Sequence, residues 1–171
     1  SGDADPGPAL FAFSATGQPA LVYTPSSGSL LRRRGNRFES VQLDTANLKG
    51  DPIALASLDR RHAKLVIQHD DGLWTLIVSL ETGRIENQSV VPGAAGPALL
   101  AADGSLLYKD AQGLVLQRTD GSQHRFDVPA LASLDALSNE WVHATSSDGA
   151  THFALRLTPG REAVYQIPEA Q

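Results

Sequence analysis

The sequence predicts an all-β chain built from four units, each of four short antiparallel strands. Two observations carry this expectation. Glycine-ended turns recur at matching places, at Ser26-Ser27-Gly28, Asp70-Asp71-Gly72, Asp110-Ala111-Gln112-Gly113 and Ser147-Asp148-Gly149 before each third strand. They recur again at Arg34-Gly35-Asn36, Glu81-Thr82-Gly83, Thr119-Asp120-Gly121 and Thr158-Pro159-Gly160 before each fourth. Successive turn glycines are also 36 to 48 residues apart, the period of a four-stranded repeat unit.

Residues 1–8, rich in Gly, Asp and Pro, read as a flexible lead-in. The first unit, 9–43, has expected strands 9–13, 19–24, 29–33 and 37–43. Leu10, Ala12 and Phe11, Phe13 make the first strand apolar on both faces, which predicts covering sheets on either side. Phe38, Ser40 and Gln42 alternate with Glu39, Val41 and Leu43, a more exposed pattern. A connector follows, with Ala46-Asn47-Leu48-Lys49-Gly50 able to form a helical turn and Asp51-Pro52 as a turn signal.

The second unit, 53–91, has expected strands 53–57, 64–69, 73–80 and 84–90, with Asp71-Gly72 closing its central hairpin. The third, 97–128, is the shortest, with strands 97–101, 105–109, 114–118 and 123–128. The fourth, 130–168, has strands 130–134, 140–145, 151–157 and 162–167. Ala56-Ser57-Leu58-Asp59 recurs as Ala132-Ser133-Leu134-Asp135, which places Asp59 and Asp135 in equivalent turns. A β-sandwich or barrel is the competing arrangement, since it also joins short strands through glycine turns.

Ala54-Leu55-Ala56-Ser57-Leu58-Asp59, Lys64-Leu65-Val66-Ile67 and Asp70-Asp71-Gly72-Leu73-Trp74 resemble the repeats of the β-propeller superfamily, in particular its WD-like and TolB-like members. The resemblance extends over residues 9–168. It implies four antiparallel propeller-like blades, closed as a four-bladed ring or forming part of a larger one. The Trp-Asp pair of WD repeats, the Ser-x-Asp-x-Gly-x-Thr-Trp pattern of sialidase-like propellers and the tryptophan set of quinone-cofactor propellers are missing. No family chemistry, and no cofactor, is carried over.

Hydrophobic residues make up 42% of the 171, enough for a core, while 15 glycines and 10 prolines suit a turn-rich fold. The net charge of −5 offers no broad attraction to nucleic acid or anionic lipid. With no cysteine, disulfides, thiolate catalysis and Cys-ligated metals are excluded. No apolar run approaches a membrane-spanning helix. The Ser1-Gly2 start and the lack of methionine predict a processed or cut-down chain. Together with the fold resemblance, this suggests the periplasm or cell envelope, with the cytoplasm as the alternative.

His62, His69, His124, His143 and His152 show neither an HExxH motif nor a close pair with metal spacing. They read as turn or surface residues, and no metal site is expected. Asp70 and Asp71 have the side chains that an Asp-Gly hairpin needs, with Ca²⁺ binding the weaker alternative. There is no nucleophile elbow or phosphate loop, so no enzyme is expected. The basic run Arg32-Arg33-Arg34 alternates faces on a strand, with Arg32 and Arg34 together, and is able to grip an anion. The aromatic candidates for partner contact are Trp74, Trp141, Tyr23, Tyr108, Tyr165 and Phe126, set against a packing role for each.

The expectation is a non-catalytic protein-binding or assembly module contacting its partner through Trp74, Trp141, Arg32, Arg34 and Tyr108. The alternative is a propeller that binds carbohydrate or another small ligand. Self-association through an incomplete ring belongs to the first reading, because uncovered terminal sheets promote pairing.

Overall fold

A computed structural model of the chain describes residues 9–13, 19–44, 50–101, 103–128, 131–138 and 140–168. The expected lead-in, 1–8, and residues 46–49 of the expected helical turn 46–50 lie outside the described residues. Every regular element described is a strand, and the strands form four sheets, each an antiparallel meander. The first sheet holds β1 (Leu10–Phe13), β2 (Pro19–Thr24), β3 (Ser29–Arg34) and β4 (Arg37–Gln42). The second holds β5 (Asp51–Ser57), β6 (His62–His69), β7 (Gly72–Ser79) and β8 (Ile85–Pro92). The third comprises β9 (Ala95–Leu100), β10 (Leu106–Asp110), β11 (Gly113–Gln117) and β12 (Gln123–Phe126). The last comprises β13 (Leu131–Ala136), β14 (Trp141–Ser146), β15 (His152–Arg156) and β16 (Ala163–Ile167). These are propeller-like blades.

The turns explain the meander. All eight predicted turn glycines have positive φ, from 60° at Gly35 to 146° at Gly72, in the region where a side chain is disfavoured. Aspartates complete the turns by accepting backbone N–H groups: Asp59 from Arg61, Asp103 from Ser105, Asp110 from Gln112 and Gly113, and Asp148 from Ala150. Gly83 has a further role. A Cβ there would collide with the Gln42 carbonyl, so the absence of a side chain lets the β7–β8 turn approach the end of β4.

The chain divides into two compact units, Ser1–Pro92 and Gly93–Gln171. Within the first, β1–β4 packs on β5–β8 through Leu21, Tyr23, Leu30, Leu65, Ile67 and Leu76, each nearly fully buried. Within the second, β9–β12 packs on β13–β16 through Leu107, Leu114, Leu116, Val142, Ala144 and Leu155. Full burial of each Leu contributes about 1.5–3 kcal/mol, so each unit is held by sheet-on-sheet packing, not by its hairpins alone.

Three expectations need correction. Asp51-Pro52 starts β5 instead of forming a turn, with Pro52 opposite Ile67, since proline is tolerated where a strand begins. The repeated Ala-Ser-Leu-Asp segment is out of structural register. Leu58 and Asp59 bond the His62 carbonyl in the first loop, and the residues that bond Trp141 in the corresponding loop are Leu137 and Ser138, three positions beyond Leu134 and Asp135. Asp135 is thus a strand residue, opposite His143. Phe11 is not sandwiched: it is 51% exposed, because β1–β4 buries one face only.

Candidate functional site

The alternating burial of β14 and β15 sorts the last sheet into two chemistries. Val142, Ala144, Phe153 and Leu155 point into the core of their unit. The opposite face carries Trp141 and Arg156 in one cross-strand row, and Asp135, His143, Ala154 and Tyr165 in the next. Tyr165 is 52% exposed, and Leu137 beside Trp141 is 63% exposed. The Trp141 and Tyr165 rings lie 5.8 Å apart at 45°, and the Arg156 guanidinium carbon sits 5.8 Å from the Trp141 centroid. The cation therefore rests against the indole's electron-rich system, fixing a broad apolar ring at the surface.

On the same face His143 Nε2 and His152 Nδ1 are 2.9 Å apart, with the rings stacked at 10°. One nitrogen must donate and the other accept, so the two tautomers are linked. Asp135 Oδ2 lies 3.9 Å from His143 Nδ1, on the ring's other nitrogen. The sequence hid this pair, because its members are nine residues apart and meet only through the β14–β15 register. Among the described residues no group of three or more His, Asp or Glu side chains is placed to hold a metal ion.

The first sheet also has an exposed face. Phe11, Val22, Leu31 and Ser40 form one row across it, and Arg33 and Phe38 form another. Phe38 is 51% exposed, and Ser29 and Ser40 share a hydroxyl–hydroxyl hydrogen bond of 3.1 Å. This face is aliphatic and phenyl-bearing, where the β13–β16 face is rich in histidine and amphipathic rings.

The predicted partner residues are distributed over both units. Trp74 on β7 packs against the first core, donates from Nε1 to Asp71 Oδ1 at 3.0 Å and stacks near His69 at 4.6 Å. Arg32 and Arg34 share a strand face as expected, and both reach Glu39 Oε2 at 3.3 Å. Arg34 is exposed, but Arg32 is buried, with Nη1 donating to the Arg60 carbonyl at 3.4 Å. Tyr108 is buried as well, and desolvation raises its phenol pKa. Burial removes Arg32 and Tyr108 from the accessible surface, which corrects their assignment as partner contacts. Strand periodicity tells which residues share a face but not which face the next sheet covers.

Arg118, which sequence reasoning passed over, lies just past the end of β11. Its Nη2 bonds the Leu157 carbonyl at 2.5 Å and Glu162 Oε1 at 2.8 Å, tying β11 to the β15–β16 turn. It borders a recess of about 260 Å³ in the second unit, with Asp103, Ser105, Glu140 and Leu157. Ser105 Oγ is buried there without a hydrogen-bond partner among the described residues. A second recess, about 340 Å³, includes Asp110, which Arg125 grips through two 2.9 Å hydrogen bonds.

No family model and no curated protein sequence matches the chain. Among solved structures, hydrazine synthase from Kuenenia stuttgartiensis superposes with a TM-score of 0.57 at 14% identity, over 97% of this chain and 51% of that one. Streptogramin B lyase gives 0.56 at 15% identity, over 96% and 56%. A functionally unknown protein from Desulfotomaculum acetoxidans DSM 771 gives 0.50 at 10% identity, over 94% and 55%. The first two are β-propeller folds, so the likeness establishes a propeller-type architecture. The chain spans about half the length of these structures.

Proposed function

We propose that this propeller-type chain is a non-catalytic protein-binding or assembly module whose contact surface is the exposed face of β13–β16. The observation that carries this reading is the pairing of Trp141 with half-exposed Tyr165 on a sheet whose other face is fixed in a core. Large amphipathic rings on a rigid sheet give contact area at low ordering cost, the property of interface hot spots. Immobilised wild-type chain and a Tyr165→Asp variant, exposed to the same native extract, test it. The expected result is a protein retained by the wild type and released by the substitution. Retention of nothing, or of the same proteins by both chains, would overturn it.

A second reading, small-ligand or carbohydrate binding, is favoured by one observation, the buried Ser105 hydroxyl beside Arg118 and Glu140 in the 260 Å³ recess. Such polar groups fix a ligand's orientation in a recess of this kind. Backbone NMR during titration with a panel of sugars would support it if shifts cluster at Asp103, Ser105 and Arg118, and reject it if none move.

A further inference from the structure

The recess of about 260 Å³ in the second unit combines three features that packing does not explain. The first is Ser105, only 1% exposed, whose Oγ has no hydrogen-bond partner among the described residues. Ser105 precedes β10 by one residue and lies two before Leu107, so strand alternation turns its side chain to the face that packs on β13–β16. Leu157, just past β15, lines the recess from that facing sheet. Leaving a buried hydroxyl unpaired costs stability, and a bound group that pairs with it recovers that cost.

The second feature is charge. Asp103 and Glu140 are exposed residues lining the recess. Among the described residues of this unit, the carboxylates in close contact with a basic side chain are Glu162, Asp110 and Asp135, and neither Asp103 nor Glu140 is one of them. Asp103 uses Oδ1 to accept the Ser105 N–H at 2.9 Å, which leaves Oδ2 for another donor. The one guanidinium at the recess, Arg118, is already balanced by Glu162 at 2.8 Å. The third feature is an apolar wall made by Leu116, Leu157 and Pro159.

From these features we infer that the recess binds a small organic cation, a primary ammonium group on a compact apolar body. The inference rests on the small-ligand reading and names the ligand class. The three N–H groups of the ammonium donate to Asp103, Glu140 and Ser105 Oγ, while Leu116, Leu157 and Pro159 cover the body. An anion would meet two uncompensated carboxylates, and a neutral molecule would leave their charge unpaired. A bare metal ion does not fit, because among the described residues no three His, Asp or Glu side chains are placed to hold one.

The test is backbone amide NMR of the whole chain, titrated with cyclohexylammonium, cyclohexanol and cyclohexanecarboxylate, which share one body and differ in charge. Cyclohexylammonium is expected to shift the amides of Ala101, Asp103, Ser105 and Arg118 and to bind at least about tenfold more tightly than cyclohexanol. Cyclohexanecarboxylate should leave those amides unmoved. Asp103→Asn and Glu140→Gln keep the shape and remove a charge, and each is expected to weaken cyclohexylammonium about threefold and narrow its preference over the alcohol. Ser105→Ala should weaken it about fivefold while raising the Tm of the free chain, since the unpaired hydroxyl is gone. The amide spectrum of each variant reports its fold, and Glu140→Gln, at an exposed position, keeps the test open if Asp103→Asn disturbs the turn it completes. Equal or tighter binding of cyclohexanol or cyclohexanecarboxylate, shifts outside the recess, or a folded variant that binds cyclohexylammonium like the wild type overturns the inference. If sugars move the recess amides and cyclohexylammonium does not, only the ligand class is lost. If neither moves them, the small-ligand reading fails as well.

Discussion

His62 is held between two carboxylates: Nδ1 lies 3.1 Å from both Asp59 oxygens and Nε2 lies 2.9 Å from Glu86 Oε2. Both ring nitrogens therefore have an acceptor for a proton, and the hydrogen bond that His62 donates to Asp59, ahead of the Glu86 contact, raises the imidazole pKa. A raised folded value means that the folded chain binds the proton more tightly than the unfolded one. The stabilisation is fully present below the unfolded value of about 6.5 and is lost as pH rises through the folded value. Melting wild type and His62→Gln in parallel should show a Tm gap that is widest near pH 6 and closes at alkaline pH. Asp110 has the opposite sign. The Arg125 hydrogen bonds, followed by that from the Gln112 backbone N–H, hold its carboxyl well below the usual range. That contribution is present above about 3.9 and is lost as pH falls through the folded value. Carboxyl-detected NMR titration should find Asp110 still ionised well below the usual carboxylate range, and Arg125→Ala should return it toward that range. Neither partnership was legible in the sequence, because His62 and Glu86 meet across β6, β7 and β8, and Asp110 and Arg125 across β10, β11 and β12.

Each unit ties its two sheets together with an arginine, on β3 in the first unit and just past β11 in the second. Arg32 reaches the Arg60 carbonyl, and Arg118 reaches the Leu157 carbonyl and Glu162. The Arg118–Glu162 side chains are only 15% and 14% exposed, so truncation leaves a largely buried carboxylate and carbonyl without a donor. Arg118→Ala is expected to lower stability by about 1–3 kcal/mol in urea denaturation. Gly83→Ala should cost about 1–2 kcal/mol for the left-handed backbone alone, and more once the Cβ meets the Gln42 carbonyl; the same measurement checks it. The strands themselves were readable because positive-φ glycines punctuate them and apolar residues fill the intervals. Their mutual contacts were not, since β14 and β15 alternate in burial while Leu65, Val66 and Ile67 of β6 are all buried, and both patterns read simply as apolar strand. The Asp59–Asp135 equivalence failed for a related reason: a four-residue match carries no information about loop length.

At the scale of the whole molecule, the propeller-like blades followed from the turn period, whereas the face proposed for contact depended on the register within β13–β16. Trp141 was named from its residue type. The companions that make it a surface, Tyr165 at 5.8 Å and Arg156 above the ring, needed the three-strand register. The two tryptophans add an optical consequence. Trp74 belongs to the first compact unit, hydrogen-bonded to Asp71, and Trp141 to the second, beneath a guanidinium. Replacing either by phenylalanine leaves a single indole emitter, so the fluorescence of each variant reports the melting of one half of the chain.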